Sequence, residues 1–194
     1  MTIEDGPSVP EEILSGLEGH LNGVDHLVPL IYSELKRLAA YHLKNERPNH
    51  TLSPTELVHE VFLVLRKQHS LDFQDRKYVL TIASSIMRRV LVNYAKYRKR
   101  KKRGEGKEEV HLDDVGDITF VTFERSTIDV IVLEDALNRL AKLDPRQVRI
   151  VELRFYGGLT FDEIAEVLGI SLRTVMREWK FARTWLYKEI AGKN

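Results

Sequence analysis

The chain contains no cysteine, and this absence excludes several kinds of chemistry. There can be no disulfide framework, no thiolate metal site and no cysteine nucleophile, and a reducing cytoplasm is the expected compartment. No stretch approaches the roughly 20 apolar residues that a membrane-spanning helix needs. The N-terminal sequence MTIEDGPSVPEEIL also lacks a basic region followed by an apolar run. We therefore predict a cytoplasmic protein without membrane insertion.

Motifs for catalysis and for metal binding are missing as well. His59 and Glu60 form the pair that opens a zinc-protease motif, but the second histidine would have to stand where the chain has Leu63. The remaining histidines are scattered, and the sequence has neither a glycine-rich phosphate loop nor a nucleophile motif. We expect no metal site, no cofactor and no enzymatic activity.

What the chain does have is a strongly uneven charge distribution. It has 194 residues, of which 43% are hydrophobic and 30% are charged, as in a protein of one or two globular domains. The formal net charge is +1, but residues 88–103 contain nine basic residues and no acidic one. Residues 104–135 contain ten acidic residues and two basic ones. A polycationic segment is thus followed by a polyanionic one.

The N-terminal half predicts three helices. The first starts after Gly23, with Asp25 as its cap and Pro29 in its first turns. The second starts at the sequence SPTE, where Ser53 and Glu56 form a capping box. The third runs from about residue 78 into the basic segment, and it has an apolar stripe opposite a polar and cationic one. The polar stripe comprises Thr81, Ser84, Ser85, Arg88, Arg89, Asn93 and Lys96.

A glycine-containing acidic segment separates this half from a second helical unit. Residues 105–127 lack a sustained period and are interpreted as a flexible linker, with a short extended piece at ITFVTF. The following unit has one helix with a leucine stripe and another that begins at Asp144 and stops at Gly157. The predicted fold is all-α. It has an N-terminal extension at 1–20, a domain at 21–104, the linker, and a domain at 128–194.

The C-terminal sequence LTFDEIAEVLGISLRTVMREWK has the pattern of a helix-turn-helix. Thr160 and Glu163 form a capping box, Gly169 allows a tight turn, and Ser171 caps the second helix. Such a second helix lies in the major groove of DNA, where arginine can donate to guanine and lysine can neutralise phosphate. The side chains predicted to point outward are Arg173, Thr174, Arg177, Glu178, Lys180 and Arg183.

Other interpretations remain open at this point. The two helices could belong to an ordinary bundle, and the basic run could be a solvated surface. Tyr94, Tyr97 and Phe73 lie near that run, and basic residues with aromatic ones are typical of binding to unpaired bases. A dimeric helix-turn-helix regulator with an N-terminal sensing domain and an RNA-binding protein are the alternatives.

The order of these segments resembles extracytoplasmic-function sigma factors of the sigma-70 family. TELVHEVFLVL is similar to region 2.2 of that family, YVLTIASSIMRRVLVNYAKYRKRKK resembles regions 2.3 and 2.4, and the segment 137–186 resembles region 4. The resemblance implies a promoter-specificity subunit that binds core RNA polymerase and promoter DNA. Many members are sequestered by anti-sigma proteins, so an anti-sigma factor is a further candidate partner.

The resemblance also implies roles for individual residues. Core polymerase would bind Glu56, His59 and Glu60. The minus-ten element would contact Phe73, Ser85, Arg88, Arg89, Asn93, Lys96, Arg98 and Arg100. The minus-35 element would contact Ser171, Arg173, Thr174, Arg177, Glu178, Lys180 and Arg183.

Overall fold

The computed structural model describes residues 9–11, 27–43, 52–67, 75–104 and 130–191, and these contain seven α-helices and no strand. This confirms the prediction of an all-α fold. Asp25, Phe73, the acidic linker with its ITFVTF segment, and nearly all of the N-terminal extension lie outside the described residues. The helices are α1 (Leu27–Leu43), α2 (Pro54–Arg66), α3 (Arg76–Gly104), α4 (Val130–Leu143), α5 (Pro145–Phe155), α6 (Phe161–Leu168) and α7 (Leu172–Ala191).

Local capping signals fix where several helices begin. At α2, Glu56 N donates to Ser53 Oγ at 3.1 Å and Ser53 N donates to Glu56 Oε2 at 2.6 Å, which is the predicted capping box. At α5, the Asp144 side chain accepts from the next two available backbone N–H groups, and Pro145 occupies the first helical position. Both predicted start sites are therefore confirmed.

Helix α3 begins two residues earlier than its apolar pattern predicted. Asp75 Oδ1 accepts from Lys77 N at 2.8 Å, so this aspartate satisfies a donor of the first turn. Arg76 and Lys77 are consequently the first two residues of the helix. The apolar stripe could not locate this start, because the first turn carries only charged residues and Tyr78.

The described helices form two units, here called the N-terminal unit (α1 to α3) and the C-terminal unit (α4 to α7). In the N-terminal unit, α2 packs against both α1 and α3. In the C-terminal unit, α4, α5 and α7 pack on one another and α6 packs on α5 and α7. Each unit buries aliphatic side chains, including Ile31, Leu35, Leu57, Val61, Leu80 and Met87 in the first and Leu133, Leu137, Ile150, Leu153, Ile164 and Leu186 in the second.

The two units also pack directly on each other, because α3 contacts α4, α5 and α6. One place of close packing is the turn after α5. A Cβ atom added to Gly157 would lie 3.0 Å from Ser84 Cβ, and one added to Gly158 would lie 3.1 Å from Leu38 Cδ1. Gly158 also has φ +69°, a conformation that favours glycine. The buried side chains of both units join into a single core.

His42 connects α1 to this turn. Its Nε2 lies 3.1 Å from the Phe155 carbonyl oxygen, which requires the Nε2–H tautomer, and its ring packs against those of Phe155 and Tyr156. Burial lowers the pKa of His42 to about 4, and the hydrogen bond to Phe155 offsets this effect in part. The imidazole is therefore neutral in the folded protein near neutral pH.

This burial predicts a loss of stability on acidification. In the unfolded chain His42 has an ordinary pKa of about 6.5, so below that pH the unfolded state binds a proton that the folded state excludes. The contribution is fully present above about pH 6.5 and is lost as the pH falls towards about 4. The total loss should be on the order of 3 kcal/mol.

Urea unfolding at several pH values between about 7 and 5 measures this effect, since that window lies around and below the ordinary pKa of histidine and above the lowered pKa of His42. His42→Gln should flatten the pH dependence. His59→Gln, which replaces a half-buried histidine on α2, is the control and should keep the wild-type dependence. An unchanged slope in His42→Gln would contradict the assignment.

Candidate nucleic-acid and polymerase interfaces

Helices α6 and α7 form a helix-turn-helix with the predicted local geometry. Thr160 and Glu163 make a capping box at the start of α6. Gly169 ends α6 in the left-handed conformation, with φ 63°, and Ile170 N donates to the Ala165 carbonyl at 3.1 Å. The turn therefore fixes the angle at which α7 leaves α6.

The N-terminus of α7 is held by its own cap. Thr174 N donates to Ser171 Oγ at 3.2 Å, and the two hydroxyl oxygens lie 2.8 Å apart. Two of the seven predicted minus-35 residues are thus engaged in capping, Ser171 as an exposed residue and Thr174 as a half-buried one. The inner stripe of α7 is buried and comprises Val175, Glu178, Trp179, Ala182 and Leu186.

The outer surface of α7 is cationic and interspersed with apolar groups. Arg173, Arg177 and Lys180 are exposed, and the Arg177 side chain is 75% accessible. Met176 and Phe181 are also exposed on this helix. The sequence interpretation overlooked these two apolar residues, although their spacing from Arg173 and Arg177 could have placed them on the outward side. Arg183 is half-buried and has contacts within the protein.

Glu178 does not point outward, and this part of the prediction is wrong. The residue is only 5% exposed. Arg146 on α5 donates to both of its carboxylate oxygens, from Nε at 2.8 Å and from Nη2 at 2.5 Å. A buried carboxylate requires such a partner, because removing an ion from water is costly unless it is paired. Glu178 thus joins α7 to α5.

Helix α3 presents a second cationic surface towards its C-terminal end. Arg89, Asn93, Lys96 and Arg100 are exposed there. The Arg98 guanidinium lies 5.9 Å from the centre of the Tyr94 ring, and Tyr94 Oη accepts from Leu52 N at 3.2 Å. Tyr97 is exposed beside them, so an aromatic ring and several cations share this surface.

Two of the predicted minus-ten residues on α3 contact the C-terminal unit. Arg88 Nε donates to Glu134 Oε2 at 2.9 Å, and Arg88 Nη1 lies 3.8 Å from Glu152 Oε1. Ser85 Oγ accepts from Arg149 Nη1 at 2.8 Å. Sequence reasoning did not find these partners, because they lie 46 or more residues further along the chain.

The predicted polymerase-binding residues lie on α2. Glu60 is exposed and His59 is half-buried. Glu56 is exposed too, but one of its carboxylate oxygens accepts from Ser53 N in the capping box. Of the three residues, Glu60 can therefore bind a partner most readily, because it is exposed and its carboxylate takes no part in capping the helix.

Among the described residues there is no cluster of three or more side chains that could hold a metal ion. None of the described helices is long and apolar enough to cross a membrane. The exposed functional groups are cationic and aromatic side chains, and they lie on the helix-turn-helix and on the second cationic helix, α3. These features define a helical protein of the nucleic-acid-binding class.

The comparisons with known proteins identify the family. The model of the family described as ECF sigma factor matches residues 11–192, nearly the whole chain. The chain therefore belongs to the ECF sigma factor family, as the resemblance predicted. No curated protein and no solved structure matches the chain. Membership supports a general role as a promoter-specificity sigma factor. The family consists of non-enzymatic initiation factors, and membership implies core RNA polymerase and promoter DNA as partners.

The Arg146 pair predicts a structural role for Glu178. Arg146→Ala should destabilise the protein, because it leaves a buried carboxylate without its bidentate donor. Arg173→Ala on the exposed surface of α7 is the control and should leave stability nearly unchanged. Chemical denaturation midpoints compare the two variants, and equal midpoints would contradict the structural role.

Proposed function

We propose that this sigma factor directs core polymerase to promoters with a two-part, non-palindromic site. Helix α7 recognises the upstream minus-35 element as duplex, and the cationic surface of α3 contacts the unwound minus-ten element. The bound enzyme acts in the cytoplasm, where core polymerase and promoter DNA are found. Together with the family match, the observation that carries the proposal is the division of α7 into a buried stripe and an exposed cationic surface.

Recognition by α7 rests on the outward arginines. Arg173 and Arg177 lie about one turn apart near the N-terminal end of the helix, where recognition helices contact base edges. A guanidinium can donate two hydrogen bonds to the O6 and N7 atoms of guanine. Lys180 lies about one further turn along the helix from Arg177 and supplies a charge suited to phosphate. Arg146 holds Glu178 inside the protein, and Glu178 Oε1 lies 3.9 Å from Arg177 Nη2, so Glu178 acts on this contact only through its neighbour.

Minus-ten contact rests on the exposed end of α3. Arg89, Lys96 and Arg100 can follow the phosphates of a separated strand, and Tyr97 offers a ring on which a base can stack. Phe73 remains part of this proposal as a further aromatic contact. Strand separation then needs no catalytic residue, because capture of unpaired bases shifts the duplex equilibrium towards the open form.

Polymerase binding is assigned to the exposed side of α2. Glu60 provides the charge, with Glu56 and His59 beside it. The opposite side of α2 is buried against α1 and α3, so the helix is rigidly supported where a partner would dock.

Transcription in vitro tests the proposed function. The purified protein is added to bacterial core polymerase that lacks any sigma factor, on pooled genomic template from its host, and transcript 5′ ends are mapped. Discrete start sites preceded by a shared two-part motif are expected. Absence of such starts, together with tight binding of the protein alone to a palindrome, would favour a dimeric helix-turn-helix regulator.

Arg177→Ala should relax base preference within the upstream element. The expected loss of discrimination is about 1 to 3 kcal/mol at the base pair that the guanidinium contacts. Selection from promoters randomised upstream measures it, with Lys180→Ala as the comparison. The lysine variant should weaken binding to all sequences alike, because phosphate contacts are sequence-independent. Unchanged preference in Arg177→Ala would remove this residue from the recognition surface.

Glu60→Lys should abolish binding to core polymerase by reversing the charge on the proposed docking surface of α2. Asp135→Lys is the matched control, since Asp135 is an exposed acid on α4, in the other unit. Pull-down with core polymerase separates the two variants. Retention of the complex by Glu60→Lys would show that α2 does not dock through this side.

A further inference from the structure

The outward surface of α7 begins with two neighbouring rows of side chains. Residues four positions apart on a helix lie above one another, about one turn apart. One row contains Leu172, Met176 and Lys180, and the other contains Arg173 and Arg177. Met176 follows Arg173 by three positions, so the two rows are in contact distance of each other along the helix surface. Leu172 and Met176, here called the apolar pair, thus stand beside a pair of arginines.

The apolar pair lies outside the core of the protein. Leu172 is 39% exposed and Met176 is 51% exposed. The buried stripe of α7 is formed by other residues, which include Val175, Trp179 and Ala182. A single exposed apolar residue is common on protein surfaces, but these two are adjacent and lie in the N-terminal part of the second helix of a helix-turn-helix. That is the part of such a helix that contacts base edges.

The chemistry of the apolar pair is complementary to one group in the major groove. Among the base edges exposed there, thymine alone presents a methyl group, at C5, beside its hydrogen-bonding atoms. The side chains of Leu172 and Met176 carry no hydrogen-bond donor, so they cannot replace the arginines in contacts with guanine. Methionine also suits an apolar contact of this size, because its unbranched side chain adapts to the shape of its neighbour.

The surroundings of the apolar pair favour DNA over an apolar protein partner. Arg173, Arg177 and Lys180 border the pair, and all three are exposed. The acid in this part of α7 is Glu178, which is buried and paired with Arg146. The exposed charge next to the pair is therefore positive, as a contact with phosphates requires. Phosphate contacts position a protein on the duplex and so bring neighbouring side chains to the base edges.

We propose that Leu172 and Met176 recognise thymine in the upstream promoter element by contact with its C5-methyl group. They act beside the arginine row, which makes the polar contacts with the bases. This inference rests on the proposed function, since that function places α7 in the major groove of the upstream element. It adds a second chemical group to what α7 reads there.

The dimensions of the helix limit the spacing of the recognised thymines. Four residues advance an α-helix by about 6 Å, and neighbouring base pairs of B-DNA are about 3.4 Å apart. The methyl groups that meet Leu172 and Met176 should therefore lie no more than about two base pairs apart. They can belong to either strand, because both strands present their base edges in the same groove.

Uracil interference on the holoenzyme tests the proposal at every thymine of a promoter. Uracil differs from thymine only in lacking the C5-methyl group. Promoters found by transcript mapping are amplified with a small proportion of dUTP in place of dTTP and bound to the holoenzyme, and bound and free DNA are then cleaved at uracil. Uracil should be depleted from the bound DNA at neighbouring thymines of the upstream element. No depletion in that element, or an upstream element without thymine, would overturn the proposal.

Promoters with uracil at one depleted position measure the size of the effect. The wild-type holoenzyme should bind them about fourfold more weakly, which corresponds to burial of one methyl-sized group, about 0.8 kcal/mol. Met176→Ala should bind thymine and uracil equally at one of the depleted positions, and Leu172→Ala at another. Met176→Leu keeps an apolar side chain and should retain most of the preference for thymine. An unchanged preference in both alanine variants would remove the apolar pair from recognition.

Leu143→Ala is the matched control for the alanine variants. Leu143 is 69% exposed at the end of α4, outside the helix-turn-helix, and the variant loses the same side chain as Leu172→Ala. It should keep the wild-type preference for thymine. The ratio of thymine to uracil binding is taken within each variant, so a change in stability or in core binding cancels. Loss of the preference in Leu143→Ala would overturn the assignment to the apolar pair.

Arg177→Ala separates this inference from the proposed function. An altered upstream base preference in Arg177→Ala, with no effect of uracil on the wild-type protein, would leave α7 in the upstream element and refute the thymine contact alone. If neither change affects upstream binding, or if no start sites are found, the proposed function and the thymine contact are both refuted. Impaired holoenzyme formation by Met176→Ala without an effect of uracil would assign the apolar pair to a protein contact instead.

Discussion

Helix α3 packs against other helices on two opposite sides, so its sequence must provide an apolar contact surface on one side and a polar one on the other. Its apolar stripe packs against α1 and α2, while its polar side meets α4, α5 and α6. A polar side that becomes covered must find hydrogen-bond partners, because an unpaired buried charge is unstable. Arg88 finds them in Glu134 and Glu152, and the main chain of Thr81 finds one in Arg149. These pairings and the shared hydrophobic core together hold the C-terminal unit against α3.

Local signals in the sequence were sufficient for most of the fold. Capping residues act within three or four positions, so the starts of α2, α5, α6 and α7 followed from Ser53, Asp144, Thr160 and Ser171. Contacts between the units were not predictable in this way. They join residues far apart in sequence, and a polar residue with a distant partner has the same local pattern as a solvated one. Leu143 shows the converse, since it continues a leucine stripe yet is 69% exposed where α4 ends.

In the candidate site, too, features set by nearby residues were predictable, and contacts with distant residues were not. The periodicity of α7 can be read from its own sequence, and it correctly predicted that Arg173, Arg177 and Lys180 are exposed. Glu178 was misplaced because its charge was given more weight than its spacing. It lies three residues after Val175 and four before Ala182, on the buried stripe. Glu178 can be buried because Arg146 pairs with its carboxylate, and these two residues come together only in the folded protein.

The turn at Gly157 and Gly158 limits which chimeras between this chain and its relatives can keep the packing of the two units. Without side chains, the turn comes within contact distance of Ser84 and Leu38, and even one added methyl group would displace a neighbour. A Cβ atom at position 157 would lie 2.7 Å from the Leu153 carbonyl oxygen and 2.9 Å from Leu159 Cδ1 as well as 3.0 Å from Ser84 Cβ, so the backbone of the turn itself requires glycine there. Chimeras that exchange one unit between relatives would therefore keep this packing when the glycine turn and its opposing residues are transferred together.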